Sequence, residues 1–458
     1  ALTRGVLDSL TPCAVSRPKP GPGEVEVEVY AAALNFKDVM LALGMLPPLP
    51  DGSIPLGLEC AGRVTAVGEG VTRVKVGDEV LAGGDNTFCR YLITSEYLLG
   101  VKPANLSFEE SATVLVAFGT TYYAINKLAQ LEAGERILIH TASGAVGQAA
   151  IQLAKLAGAE IYATAGTPEK RAFLREQMGI EYVMDSRSLD FADEIMEFTG
   201  GEGVDVVLNT LSGAGITKSL SVLRPYGRFL ELGKRDIVEN NPLPMGLLAK
   251  NISYLVVEFN ELMHDRPEYV CALMRDEIVP LFEAGKLEPV MLQTYPLDEV
   301  TDAFRLMAQA KHIGKVVVTL RDQAASIAPA PPQPIRIHER ATYLITGGLG
   351  GLGRTVARHL AERGARHLVL TSRPGREALT PERETFVKAL EAAGVQVEIA
   401  KSDVSEPGDV RALINEIADS MPPLRGVIHA AGVLDDVLLL RMTAEQLQKV
   451  LAPKVYGA

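Results

Sequence analysis

Arg136-Ile137-Leu138-Ile139-His140-Thr141-Ala142-Ser143-Gly144-Ala145-Val146-Gly147 runs from apolar residues into a glycine turn, and Gln148 to Leu156 continues it as an amphipathic stretch. The pattern reads as strand, turn and helix. Gly144 and Gly147 hold the last two positions of a GxGxxG spacing, where backbone must approach a pyrophosphate and a helix must pack on a strand; Ala142 takes the first. Further apolar runs at 160–163, 204–209, 227–232 and 252–257, with helical segments between most of them, predict a parallel, doubly wound sheet. Upstream, residues 1 to about 124 are short β-rich runs punctuated by glycine. Among them Glu24-Val25-Glu26-Val27-Glu28-Val29 alternates as a half-buried strand does, and a small twisted barrel is expected there. Downstream, 260–320 adds helix and a last strand at 315–320, and the Ala- and Pro-rich 324–334 reads as a semi-rigid linker. A second strand-turn-helix unit opens at Thr342 to Thr346, with strands expected at 367–371, 395–400 and 426–429.

Length and charge narrow the function. A chain of 458 residues predicts two to four domains. Its net charge of -12 argues against a nucleic-acid partner, because duplex binding depends on neutralising phosphates. No apolar run approaches the ~20 residues that span a bilayer, so no membrane is expected. Ala1 to Leu10 carries no signal-peptide pattern and no initiator Met, which fits a cytoplasmic segment of something larger. Cys13, Cys60, Cys89 and Cys271 are too scattered for a disulfide framework or a CxxC knuckle, and no metal is expected.

The second glycine loop, Thr346-Gly347-Gly348-Leu349-Gly350-Gly351-Leu352-Gly353, carries the full spacing at Gly348, Gly350 and Gly353. An acidic residue after each second strand would bind a ribose 2′-hydroxyl and repel a phosphate. The first unit instead offers Thr164, Thr167 and Lys170, and the second Thr371, Ser372 and Arg373. Hydroxyls and cations suit a 2′-phosphate, so NADPH is expected at both loops. His140 and His312, beside the cofactor motifs, read as structural hydrogen-bonding residues rather than general acids.

In order along residues 1 to about 321 come Leu34-Asn35-Phe36-Lys37-Asp38-Val39-Met40, Gly57-Leu58-Glu59-Cys60-Ala61-Gly62, the first glycine loop, Leu208-Asn209-Thr210-Leu211-Ser212, Gly227-Arg228-Phe229-Leu230-Glu231-Leu232-Gly233-Lys234 and Lys311-His312-Ile313-Gly314-Lys315. Together they resemble the enoyl reductase of fatty-acid and polyketide synthases, in the zinc-free branch of the medium-chain dehydrogenase/reductase superfamily. The glycine loop at 347–353, Ser402-Asp403-Val404, His429 to Asp436 and Pro453-Lys454-Val455 resemble the catalytic half of a synthase ketoreductase, a short-chain dehydrogenase.

The resemblance implies an α/β chain. A GroES-like substrate part would use 1–124 and 258–321, an NADPH-binding Rossmann domain 125–257, a linker 322–335, and a partial ketoreductase Rossmann domain 336–458. Expected cofactor contacts are Asn35, Thr121, Ser143, Gly144, Ala145, Val146, Gly147, Thr164, Thr167, Lys170, Asn209, Gly233, Gly314 and Lys315. In the second unit they are Gly347, Gly348, Leu349, Gly350, Leu352, Ser372, Arg373 and Asp403. Zinc-dependent relatives would carry Cys and His near Asn35 and Glu59, and without such ligands metal-free hydride transfer is expected.

Reducing a trans-2-enoyl thioester puts negative charge on its oxygen and leaves Cα in need of a proton. Lys234, at the C-terminal end of an expected parallel strand, is the first candidate for that proton, and the resemblance agrees; Glu258 is the expected partner acid. Related modular reductases carry Tyr where this chain has Phe36, which donates no proton. Lys454 matches the ketoreductase lysine, but that family's Ser and Tyr lie further on, so this half is expected to be inert. The implied partners are an acyl carrier protein bearing an enoyl chain and the remaining synthase domains, with a homodimer as an open option. The alternatives are a stand-alone quinone or enone oxidoreductase and a non-catalytic scaffold of a megasynthase.

Overall fold

The computed structural model describes residues 3–49, 53–321, 337–437 and 441–458. The expected linker lies outside the described residues. The chain divides into two compact units, Ala1–Pro332 and Gln333–Ala458.

The first unit holds two sheets. The seven-stranded one runs in the order Leu292–Pro296, Lys315–Thr319, Glu24–Leu34, Glu59–Val67, Glu79–Gly83 and Leu99–Val101, with Tyr91–Ser95 also paired to Glu24–Leu34. The alternating Glu-Val run predicts one wet face, but the strand is longer and more deeply buried than that. Ala31 to Leu34 are fully buried on both faces, and Glu26 is itself buried. A buried carboxylate needs partners; Arg17 holds Glu26 at 2.7 Å and the Thr65 hydroxyl donates to it at 2.6 Å.

The other sheet has six parallel strands in the order Ser253–Val256, Leu223–Glu231, Val204–Asn209, Arg136–Ile139, Glu160–Ala165 and Tyr182–Asp185. The strand order reverses direction between Arg136–Ile139 and Val204–Asn209, so the crevice beyond their C-terminal ends is where such a sheet binds ligands. Tyr182–Asp185 has too short an apolar run to stand out in the sequence. It is secured by Tyr182 stacking on Tyr162, with ring centroids 4.7 Å apart. The helix predicted at 148–156 spans Ala145–Ala157 and ends at Gly158, whose φ of +78° suits a residue without Cβ. The helices Phe259–Asp265, Pro267–Leu273 and Val279–Glu283 share a core with Val114–Tyr122 and Ala145–Ala157, in which Phe118 and Phe282 meet edge to face.

The second unit is a four-stranded parallel sheet in the order Gln396–Lys401, His367–Ser372, Thr342–Thr346 and Leu424–His429. Its core lies around Ile345, Leu368, Leu370 and Phe386. Along Leu424–His429 exposed and half-buried residues alternate, and Val427 is 57% exposed.

Candidate functional site

The first glycine loop is shaped by contacts that no side chain would survive. A Cβ on Gly147 would overlap the Ala142 backbone, lying 2.6 Å from its carbonyl carbon and oxygen, so the helix lies directly against the turn. Gly144 caps Ala145–Ala157 with extended backbone, and the first-turn amides, including those of Ala145 and Val146, have no intrahelical acceptor. Ser143 is buried and contributes its carbonyl, which accepts from the Gly314 amide at 2.8 Å and from Gln148 Nε2 at 2.9 Å. Gly314 has φ +69° and no room for a Cβ against the Met291 carbonyl, so a returning segment is pinned beside the loop. Open amides at a helix N-terminus beside a closely packed turn fit a pyrophosphate.

Beyond Glu160–Ala165, Thr167 caps the helix Pro168–Glu176, accepting from the Lys170 amide at 3.3 Å. Lys170 Nζ donates to the Ala310 carbonyl at 2.9 Å, and its pKa is lowered by burial and by the charge of Arg187. The Arg187 guanidinium lies over Gly166, its Nε 3.0 Å from where a Cβ would stand. Two cations that repel one another beside a helix cap suit a phosphate. Arg187 was not among the expected residues, because it follows the strand that the sequence left unmarked.

Thr164 does not belong to this cluster. Its side chain is fully buried and meets His140 Nδ1 at 2.9 Å, while His140 Nε2 meets the Ser219 hydroxyl at 2.8 Å. Burial lowers the His140 pKa to about 3, so the ring is a neutral core member, in line with its structural reading. His312 departs from that reading: its buried Nδ1 has no hydrogen-bond partner among the described residues. Burial, Lys170 and Lys315 lower its pKa to about 4. An unpartnered ring nitrogen beside the loop is a second feature that fits a polar ligand.

Asn35 and Lys315, expected at the cofactor, bind each other. Lys315 Nζ lies 2.6 Å from Asn35 Oδ1 and 2.6 Å from Glu59 Oε1, with the Lys and Glu side chains 3% and 0% exposed. Glu59 also accepts from Asn35 Nδ2 at 3.2 Å and from the Val116 amide at 2.8 Å. A buried ammonium and carboxylate are tolerable only when paired in this way. The triad also bears on zinc. Among the described residues no sulfur or imidazole joins this triad, the carboxylate is already paired with Lys315, and Leu58 precedes Glu59, so these residues do not fit a zinc ion. Neighbouring Asp38 is fully buried, accepts from the amides of Gly57 and Asn35 at 2.7 Å each, and is pushed by burial up to about 6.

Lys234 and Glu258, separated in sequence, come together at the C-terminal edge of the six-stranded sheet, Nζ to Oε1 2.7 Å. Their side chains are 30% and 34% exposed, so a ligand can reach them. Lys37, to which the sequence assigns no role, belongs to the same cluster of charges. Its pKa is lowered by burial and then by Lys234, and its field also takes in Asp85, Glu258 and Glu261. Phe36, beside it, is 55% exposed. Gly233 is half-buried and its amide donates to Glu231 at 2.6 Å. Asn209 is fully buried, with Nδ2 donating to Glu231 and Leu211, so it shapes the crevice wall rather than meeting solvent. Thr121 is likewise buried, its hydroxyl donating to the Ala117 carbonyl at 2.7 Å within its own helix.

In the second unit a Cβ on Gly353 would lie 2.7 Å from Gly348 Cα, and Gly347 has φ +64° against Ala430 and Ala431. Gly350 caps Gly351–Glu362. Leu349 is buried in the core, so only its backbone is available, whereas Leu352 is 68% exposed. The Ser372 hydroxyl donates to the Gly375 carbonyl at 3.2 Å. Asp403 accepts from the Ser405 amide and hydroxyl, which with exposed Arg373 hold its pKa below the usual carboxylate range. Lys454 is exposed, with its Cε 3.8 Å from where a Gly432 Cβ would stand.

The chain is similar to known proteins along its length. Residues 21–120 match the model of the alcohol dehydrogenase GroES-like domain, 178–318 that of the zinc-binding dehydrogenases, and 341–458 that of the KR domain. A phenolphthiocerol/phthiocerol polyketide synthase polypeptide of Mycobacterium tuberculosis is 43% identical over 99% of this chain and 21% of its own length. The highly reducing polyketide synthase cm3B of Cordyceps militaris is 40% identical over 93% of this chain and 17% of its own. The chain thus spans about a fifth of the length of these relatives. The solved CurK enoyl reductase is 41% identical with a TM-score of 0.64, covering 69% of this chain and 97% of that one. The Escherichia coli quinone oxidoreductase complexed with NADPH is 26% identical with a TM-score of 0.62, covering 70% and 98%. A GroES-like sheet, a Rossmann sheet and a KR-type unit, in this order, place the chain in the polyketide synthase family, as an enoyl reductase domain followed by ketoreductase sequence.

Proposed function

We propose that the first unit uses NADPH to reduce a trans-2-enoyl thioester, delivered on an acyl carrier protein, to the saturated thioester within a polyketide synthase. The observation that carries this reading is the reachable Lys234–Glu258 pair at the crevice of a sheet whose glycine loop fits a dinucleotide. The first-turn amides of Ala145–Ala157 would hold the pyrophosphate, and Lys170 with Arg187 the 2′-phosphate. Bound there, NADPH supplies a hydride to Cβ of the acyl chain. Lys234 donates the proton that Cα then takes up, and Glu258 fixes the ammonium through one N–H while leaving the others free. The positive field of Lys37 and Lys234 favours the enolate oxygen. Phe36 presents only an apolar surface, so Cα protonation falls to Lys234 rather than to an aromatic hydroxyl.

The remaining synthase domains are the proposed partners, with the homodimer left to a measurement of mass in solution. Ketone reduction is assigned to the synthase as a whole, with Lys454 tuning its proton donor. The likeness to quinone oxidoreductase favours, as a second reading, direct reduction of small enones. Purified chain should oxidise NADPH with a carrier-tethered crotonyl thioester. Lys234→Ala should cut kcat by ~10²-fold or more with little change in NADPH binding. An unchanged kcat, or a preference for quinones over the carrier-bound thioester, would refute the assignment.

A further inference from the structure

Glu231 takes no part in the chemistry above, yet residues from both neighbouring strands converge on it. It closes the strand Leu223–Glu231 and is 2% exposed. Oε1 accepts from the Gly233 amide at 2.6 Å and from Asn209 Nδ2 at 3.0 Å. Oε2 accepts from Asn209 Nδ2 at 2.9 Å and from the Tyr254 hydroxyl at 3.0 Å. Asn209 in turn clasps its own loop, donating to the Leu211 carbonyl at 2.9 Å and accepting the Leu211 amide at 3.2 Å. A Cβ on Gly233 would stand 2.7 Å from Oε1, so a side chain here would push the carboxylate aside.

The Gly233 amide and Asn209 Nδ2 are donors only, and the Tyr254 hydroxyl donates here. An ionised carboxylate accepts from all three at once, whereas protonation removes the charge that strengthens these bonds and turns an O–H toward one of the partners, so the tie weakens. The segments it ties lie side by side at the C-terminal edge of the sheet: the Asn209 loop, which bounds the crevice, and next to it the turn from which Lys234 departs.

We infer that the ionised carboxylate of Glu231 is a positioning residue that locks the Asn209 loop to the Gly233–Lys234 turn, so that cofactor binding follows the ionisation of this one group. The inference rests on the cofactor reading of the crevice, but not on Lys234 being the proton donor. Burial is the largest influence on Glu231 and raises it to about 7, with Asp236 adding to the rise and the Gly233, Asn209 and Tyr254 bonds opposing it. Tyr254 is itself pushed up, by burial and by Glu231, and so stays a protonated donor. The lock therefore engages as pH rises through neutrality and opens as pH falls.

Hydrogen exchange on the cofactor-free full chain tests this, compared at about pH 6 and about pH 8.5 after correction for intrinsic rates. Segments 209–212 and 232–236 should gain protection at the higher pH in the native chain and show no gain in Glu231→Gln. Only about a tenth of the chain is competent one unit below the midpoint, so the NADPH Kd at about pH 6 should be raised about tenfold relative to about pH 8.5. Glu231→Gln should bind weakly at both, because its amide sets N–H groups against the same donors. Tyr254→Phe is the milder variant, and losing that donor should move the midpoint to higher pH. Wild-type pH dependence of exchange and Kd in either variant would overturn the inference. Full kcat in Lys234→Ala would refute the proton-donor assignment alone, since the Glu231 midpoint is read from exchange and binding.

Discussion

Replacing Lys170 and Arg187 separates NADPH from NADH without touching the transferred hydride. Lys170 is held by the Ala310 carbonyl, and part of its charge is opposed by Arg187, so the free protein carries an unfavourable pair of like charges. A 2′-phosphate between them relieves that repulsion and gains charge-assisted bonds worth about 1.5–3 kcal/mol each. At about 1.4 kcal/mol per decade, Lys170→Ala should raise the NADPH Kd about ten- to hundredfold. The two residues share one ligand, so the double variant should lose less than the product of the single losses. NADH, lacking the phosphate, should bind the variants as well as the parent or slightly better. Fluorescence titration with both cofactors measures this. Equal weakening of NADH and NADPH, or no weakening of either, would refute the phosphate assignment and leave Lys170 as a surface tie to Ala310.

Gly147→Ala should destabilise the first unit by about 1–3 kcal/mol and abolish NADPH binding, because its Cβ meets backbone rather than a movable side chain; thermal unfolding and titration report the two effects. Asp38→Asn supplies one acceptor oxygen for two buried amides, and should cost about 1–3 kcal/mol in denaturant unfolding near neutral pH. His140 stays neutral when folded, its pKa near 3 against 6.5 for the free side chain. Between those values the unfolded chain binds a proton that the folded one refuses, so stability falls as pH drops below about 6.5. His140→Leu should flatten that acid slope while losing stability near pH 8, and an unchanged slope would show that other groups set it.

The fold was legible wherever period and glycine spacing coincide. Arg136–Ile139 with Gly147, and Thr342–Thr346 with Gly353, are marked by apolar runs and by sites where a side chain would strike backbone. The strand Tyr182–Asp185 gave no such mark, and with it went Arg187. Lys234 and Glu258 were legible as types at strand ends, but only the sheet shows that they meet at 2.7 Å.

Four residues expected at the cofactor are held by other side chains of the protein. Asn35, Lys315, Thr164 and Asn209 are polar residues next to cofactor motifs, and a sequence does not distinguish a polar group that faces a ligand from one that anchors the wall behind it. Burial decides this, and burial comes from pairing between distant segments: Lys315 with Glu59, Thr164 with His140, Asn209 with Glu231. Each pair costs desolvation, which only a partner already in place offsets. These pairs tie the wall of the crevice to the segments packed behind it. A change such as Lys315→Met, which removes the cation paired with buried Glu59, should therefore weaken NADPH binding together with thermal stability, whereas Lys170→Ala should weaken binding alone.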